Sequence, residues 1–359
     1  MARNDTGVIL QECDFTEVYN MSFQSEKKLV LEYYEALEKA PANETKSVME
    51  QYLSEDFTAR SSYPFRDTMN RIELAEKIWT PYKTALTSMQ RRQDIFIAGN
   101  NTLDEEGRVW VMSMGHFMGV FSQDILGIRH TGKMANLRYT EFDCVVNGKI
   151  TETCLMVDYI GLMKQAGMDP LPPSTGNYFV YPGPRMHNGL LFEDADPAEG
   201  DKTMALVNQM VDDLSRLNAS GSMEPPSPSD LAHSWSEDMI WYGPSPIGAS
   251  YTIPGYIKGH TGPFRRGLGD KVFNGHVVRF AEGDFACFFG WPNLSNRNIG
   301  GFLGLPAGSV VADMQVTDVY CRVNDKLTEN WVIIDLPWWL KQQGLDVFER
   351  TSSILNPQD

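Results

Sequence analysis

The residues best suited to chemistry lie on runs in which apolar and polar side chains alternate as in a strand. In "VVADMQVTDVYCRV" (310–323), alternation places Met314, Val316, Asp318 and Tyr320 on one face, so a single carboxylate stands among apolar neighbours. If this face lines a pocket, burial would raise the pKa of Asp318 toward neutrality, where a carboxyl group serves as a general acid or base. The alternative is a hydrogen-bonded carboxylate on a solvated face.

Two further residues are candidates for the same chemistry. An earlier run places Tyr139, Glu141 and Asp143 on one face, so each half of the chain carries an acid at the matching position. His260, in "GYIKGHTGPFRRGL", falls on a predicted helix, where an imidazole in a pocket could orient or protonate a substrate oxygen. A histidine at the surface or the edge of the core explains that position equally well.

Aromatic, apolar and amide side chains near these groups are candidate substrate contacts, and packing in the core is the alternative for each. The predicted substrate-binding residues are Trp241, Tyr242, Tyr320, Met314, Val316, Asn330, Val332, His116 and Tyr139. The predicted catalytic residues are Asp318, His260 and Glu141.

Motifs for cofactors and metals are absent from the sequence. It contains no glycine-rich phosphate loop after a strand, no HExxH and no GxSxG. The 6 histidines include no pair spaced i, i+4. We therefore expect no metal site and no cofactor, and side-chain chemistry on a small apolar molecule.

Composition restricts the partners and the compartment. The net charge of −16 disfavours nucleic acid and anionic membranes, since both repel an acidic surface. Five cysteines without CxxC spacing indicate reduced thiols. The N-terminal apolar run is too short for a signal peptide and no run approaches the length of a membrane span, so we expect a soluble cytoplasmic protein.

One phrase occurs twice, as "VNGKITET" (146–153) and "VNDKLTEN" (323–330). The similarity continues into "DYIGLMKQAGMD" (158–169) and "DLPWWLKQQGLD" (335–346), where Asp158 and Asp335 are predicted to cap short helices. Similarity at so long a period indicates a duplicated domain. We expect a first domain over 1–168, a linker rich in proline, glycine and acidic residues over 169–201, and a second domain over 202–359.

The same order of elements is predicted in both halves. Helical periodicity covers 26–40 and 202–217, second helices cover about 72–86 and 253–268, and strand-like runs follow. Asn147-Gly148 and Asn324-Asp325 are two-residue hairpin signals. Helices followed by antiparallel strands define an α+β fold.

The segments "FLGLPAG" and "MQVTDVYCRVNDKLTENWVIIDLPWWLKQQG" resemble the SnoaL-like polyketide cyclase family of the nuclear transport factor 2-like superfamily. The resemblance is strong over 235–344 and weaker over 53–167. It implies two tandem cone-shaped domains, each a curved antiparallel sheet wrapped around N-terminal helices to enclose an apolar pocket. Family members commonly dimerise through the sheet, so it also implies an intramolecular pseudo-dimer and a possible homodimer.

The resemblance carries implications for chemistry. Family cyclases close a ring by aldol chemistry without metal or cofactor, using a histidine on the penultimate strand and an aspartate on the last. The histidine position falls on Glu141 and Asp318, and the aspartate position on Leu155 and Val332. Neither half carries the expected aspartate. The superfamily also contains isomerases, epoxide hydrolases and dehydratases, so the fold does not choose the reaction.

These observations predict a cofactor-independent acid–base enzyme, an isomerase or lyase, acting on a small apolar carbonyl or hydroxyl compound by aldol cyclisation, isomerisation or dehydration. Asp318 would abstract the proton and His260 would polarise or protonate the oxygen. One alternative is a non-catalytic module that binds a hydrophobic ligand. Another is an active second half beside a structural first half, since Ile78 stands where the second half has His260.

Overall fold

The computed structural model describes residues 22–66, 68–220 and 222–355. Cys13 and the N-terminal run considered for a signal peptide lie outside the described residues.

The first half begins with helices, as the periodicity predicts, and its first strand lies between the two predicted helical segments. Its helices are α1 (Gln24–Lys39) and α2 (Thr45–Tyr52), then α3 (Arg71–Leu74), a π-helical turn (Ala75–Trp79) and α4 (Thr80–Ala85), and finally α5 (Tyr159–Gln165). Its strands are β1 (Leu53–Ser61), β2 (Leu86–Asn100), β3 (Val109–Phe121), β4 (Met134–Val146) and β5 (Lys149–Val157).

The second half repeats this order with two short strands added. Its helices are α6 (Pro197–Ala219), α7 (Pro228–Leu231), α8 (Ile253–Tyr256), a π-helical turn (Ile257–Thr261), α9 (Gly262–Gly267), α10 (Leu336–Gln342) and α11 (Val347–Leu355). Its strands are β6 (Trp235–Tyr242), β7 (Ala249–Tyr251), β8 (Leu268–Phe273), β9 (Val278–Glu282), β10 (Phe285–Asn298), β11 (Val311–Val323) and β12 (Lys326–Ile334).

Each half therefore has its own sheet, and the α+β class is confirmed. The strand order is β1-β5-β4-β3-β2 in the first sheet and β7-β6-β12-β11-β10-β8 in the second, where β9 pairs with β10. Neither path returns to its starting strand, so both sheets are open. The expected purely antiparallel sheet needs one correction: β1 pairs in parallel with β5, and β6 with β12. Helical segments lie between these strands in the sequence, because two parallel strands need a long crossover connection.

The repeated phrase forms the same hairpin in both halves. Val146 pairs with Lys149 and Val323 with Lys326, which leaves two residues in each turn. Asn147 and Asn324 have positive φ angles of 52° and 54°, which asparagine tolerates better than most residues.

The helical segment that carries His260 has a regular N-cap and first turn, although it contains prolines and glycines. Pro254 lies in the first turn, where a missing N–H removes no helical hydrogen bond. The Thr252 hydroxyl accepts a hydrogen bond from the Gly255 N–H and so caps this end. His260 is the fourth residue of its π-helical turn, and Ile78 is the fourth residue of the turn in the first half.

The two sheets share a buried cluster built from the faces that point away from their helices. Its members from the first sheet include Phe142, Cys144, Cys154 and Met156, and those from the second include Cys287, Phe289, Cys321, Trp331 and Ile333. The four described cysteines are buried and free in this cluster, which agrees with the expectation of reduced thiols.

Asp158 and Asp335 join the two halves and also cap helices. Asp158 accepts hydrogen bonds from the backbone N–H of Gly161 (2.9 Å) in its own half and of Ser245 (3.0 Å) in the other. Asp335 likewise accepts from Trp338 (3.2 Å) and from Tyr63 (2.8 Å). The capping prediction is confirmed for both.

Candidate active site

The second half encloses a cavity of about 290 Å³ between α6, the helix containing His260 and the inner face of its sheet. The strands contribute Trp235, Trp241, Phe288, Val316, Asp318, Tyr320, Asn330, Val332 and Ile334. The helices contribute Met210, Val211, Leu214, Ser215, Leu217, Tyr256, His260, Thr261, Phe264 and Arg265. The wall is completed by Pro226, Lys271, Phe273, His276, Asn293 and Leu294.

Asp318 is the carboxylate of this cavity and is only 8% exposed. The Tyr320 hydroxyl and the Asn330 Nδ2 group each donate a hydrogen bond to its Oδ1 atom, at 3.1 Å. Burial raises the pKa of Asp318 to about 6, although both hydrogen bonds oppose the shift by stabilising the charged form. The structure therefore places Asp318 on the face of β11 that lines the cavity, together with Val316 and Tyr320, as the alternation predicted.

His260 lies in the same cavity as a neutral imidazole. Its ring stacks on Trp241, with centroids 3.9 Å apart and an interplanar angle of 17°. Burial disfavours the positive charge and lowers the pKa of His260 to about 3. The buried Nδ1 atom has no hydrogen-bond partner among the described residues. This histidine is available to a ligand as a neutral hydrogen-bonding group, not as a cation.

Several polar residues of the cavity were not predicted from the sequence, and Tyr256 and His276 are two of them. Tyr256 lies four residues before His260, with their rings 5.3 Å apart, and burial together with the charge of Asp318 raises the pKa of its hydroxyl. Spacing i, i+4 on a helix places two side chains on one face, so that signal was present. His276 stacks on Phe288 at 3.8 Å and is held by Arg279, and burial lowers the pKa of this histidine to about 3.

In the first half, the corresponding interior is filled by side chains. Arg91 donates a hydrogen bond of 2.5 Å to Glu141, and its guanidinium lies 3.5 Å from the ring centre of Tyr34. The same group lies 4.9 Å from the rings of Phe117 and Tyr139, which stack on each other. An ion pair inside an aromatic cage therefore occupies the space that the second half leaves open.

A second acid completes this cluster. Asp143 accepts hydrogen bonds from the hydroxyls of Tyr34 (2.6 Å) and Thr153 (2.6 Å). Burial and the neighbouring carboxylate of Glu141 raise the pKa of Asp143 to about 8, and burial also raises the pKa of Glu141 against the opposing effect of Arg91. The predicted residues Glu141 and Tyr139 thus lie in a packed interior, away from Asp318.

One pair of matching positions distinguishes the two interiors. Arg91 pairs with Phe117 across β2 and β3, and Phe273 pairs with Leu294 across β8 and β10. The two pairs hold the same place in their halves, because each lies four residues before the end of the longer strand. Phe273 is 49% exposed at the cavity wall and has no charge to offer Asp318.

Three other predicted contacts lie outside the cavity. Tyr242 follows Trp241 directly on β6, so its side chain points to the opposite face, where it stacks on Trp331 between the sheets. His116 lies in the first half, 3.4 Å from Asp94, beside a small cavity of about 10 Å³. Met314 is fully buried and is not among the lining residues. The structure thus brings together Trp241, His260, Val316, Asp318, Tyr320, Asn330 and Val332.

Residues 22–66, 68–220 and 222–355 contain no group of three or more histidine, cysteine or acidic side chains placed to hold a metal ion. Within the same residues, no helix combines the length and the apolar character needed to cross a membrane.

Comparison with known proteins supports the resemblance seen in the sequence. Residues 100–166 match the model of the SnoaL-like polyketide cyclase family, which confirms the similarity over β3 to α5. No curated protein is significantly similar in sequence to the chain.

Three similar solved structures each align with about two fifths of the chain. A proposed SnoaL-like polyketide cyclase from Jannaschia sp. CCS1 is 15% identical, with 40% of this chain and 92% of that chain covered and a TM-score of 0.30. AclR, a proposed hydroxylase from Streptomyces galilaeus, is 19% identical, with 42% and 89% covered and a TM-score of 0.32. An NTF2-like protein from Burkholderia xenovorans LB400 is 12% identical, with 40% and 97% covered and a TM-score of 0.32.

Proposed function

We propose that the second half is a proton-transfer enzyme that needs no cofactor and acts on a small, largely apolar carbonyl or hydroxyl compound. The observation that carries this proposal is the buried carboxylate of Asp318, whose pKa of about 6 lies near neutrality. A general base of that pKa is mostly ionised at neutral pH and still basic enough to remove a proton from carbon.

The hydrogen bonds of Asp318 support its role as the base. Both of them end on Oδ1, so Oδ2 receives none from the described residues. Tyr320 and Asn330 therefore hold the carboxylate in one orientation while they leave one oxygen available for a substrate proton. A fixed base directed at the reacting carbon removes much of the entropic cost of reaching the transition state.

Neutral donors around the base suit the oxygen of the substrate. Removing a proton beside a carbonyl group places negative charge on the carbonyl oxygen, and hydrogen-bond donors in a dry cavity stabilise that charge. His260 is neutral and has one ring nitrogen without a partner, and the Tyr256 hydroxyl remains protonated because its pKa is raised. We assign polarisation of the oxygen to His260, with Tyr256 as a second donor.

The cavity does not distinguish among the three reactions expected from the sequence. Val332 lines the cavity where the resemblance implies an aspartate, so the site has one carboxylate where the family cyclases have a histidine and an aspartate. Aldol cyclisation, isomerisation and dehydration each begin with removal of a proton beside a carbonyl group. We therefore propose this shared step of proton removal and place the enzyme among the isomerases or lyases.

We further propose that the first half is a structural partner. Its interior is occupied by Arg91, Glu141 and their aromatic neighbours, which leaves no room for a substrate beside Glu141. The shared cluster between the sheets and the reciprocal hydrogen bonds of Asp158 and Asp335 support an intramolecular pseudo-dimer. We also propose that the chain can form a homodimer and that it is cytoplasmic.

A probe reaction tests the base without knowledge of the natural substrate. Removal of the C3 proton of 5-nitrobenzisoxazole breaks its N–O bond and releases a coloured cyanophenolate, and a carboxylate in an apolar cavity promotes this step. We compare the rate of this reaction for the wild type and for Asp318→Asn, and we expect the variant to lose about 100-fold or more.

A further inference from the structure

A second cavity of about 190 Å³ lies on the other side of the turn that carries His260. His260 lines both cavities, so the two spaces meet at this side chain. We call the cavity that contains Asp318 the inner chamber and this second cavity the outer chamber. The outer chamber is lined by Pro172, Pro173, Ser174, Thr175, Pro246, Ile247, Gly259, His260, Pro263, Gly301, Phe302, Leu303 and Gly304.

The segment between the two halves forms one wall of the outer chamber and is held firmly there. The Gly176 N–H donates to the Ile247 carbonyl at 2.7 Å, and Asn177 exchanges two backbone hydrogen bonds with Ala249. The Thr175 hydroxyl donates to the Gly259 carbonyl at 2.5 Å, on the turn of His260 itself. Residues 172–175 therefore follow the π-helical turn closely, and together with the second half they shape a chamber that the second half could not form alone.

The glycine-rich loop supplies the opposite wall. Gly304 has a φ of +74°, and a Cβ atom there would come within 2.5 Å of the Pro172 ring. Gly301 has a φ of +88°, and a Cβ there would meet no atom within 4 Å. The loop over 299–308 thus lets the linker approach while it leaves a space.

The side chains with polar groups that line the outer chamber are those of Ser174, Thr175 and His260, and its other lining residues are proline, isoleucine, phenylalanine, leucine and glycine. The Ser174 hydroxyl oxygen is buried and has no hydrogen-bond partner among the described residues. A buried polar group without a partner costs about 1–3 kcal/mol, so such groups are usually satisfied by water or a ligand. The volume exceeds the roughly 150 Å³ of an apolar cavity that binds benzene.

We propose that the outer chamber binds one ring-sized apolar group that carries a hydroxyl or carbonyl for Ser174, and that it extends the substrate site beyond His260. The ligand is then elongated and mostly apolar, with its reactive carbonyl beside Asp318 and a second ring under the linker. This inference rests on the proposed function only in taking the inner chamber as the reactive site.

Crystals of the full chain grown with 4-bromophenol test the occupancy directly, because bromine is located by its anomalous scattering. We expect bromine on both sides of His260 in the wild type. Ser174→Phe should keep the inner site and lose the outer one, since the larger ring fills the outer chamber. Ser353→Phe, a matched change at an exposed position of α11, should keep both sites.

The possible outcomes separate the two proposals. An empty outer chamber in the wild type, or an outer site that persists in Ser174→Phe, would overturn the outer-chamber proposal. Bromine in the outer chamber alone would contradict the inner site and leave outer binding standing. In solution, 4-benzylphenol should bind the wild type and Ser353→Phe at least tenfold more tightly than phenol does. Equal preference in Ser174→Phe would show that one ligand does not span both chambers.

Discussion

Asp318 lies directly opposite Val332 on the paired strands β11 and β12, and both side chains line the inner chamber. Directly opposite residues of an antiparallel pair have neighbouring side chains on one face. The resemblance to the SnoaL-like cyclases implies a histidine and an aspartate at these two places. The chain instead combines one carboxylate with one apolar residue, so the proposed proton transfer depends on a single base assisted by neutral hydrogen-bond donors.

The hydrogen bond from Tyr320 should control the pH at which Asp318 works. A base acts as the carboxylate, so the probe rate should rise as the pH increases through about 6 and then level off. Tyr320→Phe removes a hydrogen bond that stabilises the charged form, so it should raise the pKa of Asp318 and move the rise to higher pH. The measurement is kcat/KM for 5-nitrobenzisoxazole between pH 4.5 and 8.5.

The exposed Tyr251 provides the control for this change. Tyr251→Phe also removes one tyrosine hydroxyl from the second half, but from a position outside the chamber, so its profile should match that of the wild type. If the Tyr320→Phe profile rises at the same pH as that of the wild type, this hydrogen bond does not control the pKa of Asp318.

Phe273→Arg should close the inner chamber by reproducing the arrangement of the first half. Arg91, at the matching position, reaches Glu141 and fills the interior there. An arginine at 273 should pair with Asp318, lower the pKa of this carboxyl and occupy the space beside it. We expect the probe rate to fall at least 100-fold. Phe273→Met, a change without charge, should stay within about fivefold of the wild type.

The outcome is read from activity together with the melting temperature. A folded Phe273→Arg protein that turns over the probe at the wild-type rate would contradict the claim that this one position decides between an open and a filled interior.

The ion pair of the first half should matter for stability and not for activity. Arg91→Met leaves the carboxylate of Glu141 buried without its partner, which typically costs about 3–5 kcal/mol. Adding Glu141→Leu removes the stranded charge and should restore most of that loss. Urea unfolding midpoints measure the effect, and the double variant should keep the probe rate of the wild type. A double variant no more stable than Arg91→Met would show that the pair is not the main source of the cost.

Much of the fold could be predicted because the duplication allows positions in one half to be matched with positions in the other. Counting from the two hairpins placed Asp318 and Glu141 at equivalent positions, and alternation placed Val316, Asp318 and Tyr320 on one inner face. Both inferences depend only on local backbone geometry. The parallel pairing of β1 with β5 was missed, because partners far apart in sequence leave no local pattern.

The difference between an open and a filled interior could not be predicted from the same pattern. It depends on Arg91, which reaches Glu141 from a strand outside the repeated phrases. Adjacent residues of one strand face opposite sides, so Trp241 and Tyr242 could not both line the chamber. Tyr256 was missed although its spacing from His260 indicated a shared face.

The most direct test of the central claim is the rate of proton removal from 5-nitrobenzisoxazole at pH 7.5 by the wild type and by Asp318→Asn, with Glu141→Gln as the matched control. A positioned general base contributes about 100-fold or more, so Asp318→Asn should lose at least that factor while its melting temperature stays near that of the wild type. Glu141→Gln should keep the wild-type rate per folded molecule. A folded Asp318→Asn protein within twofold of the wild-type rate would show that Asp318 is not the base and would favour a chamber that only binds its ligand.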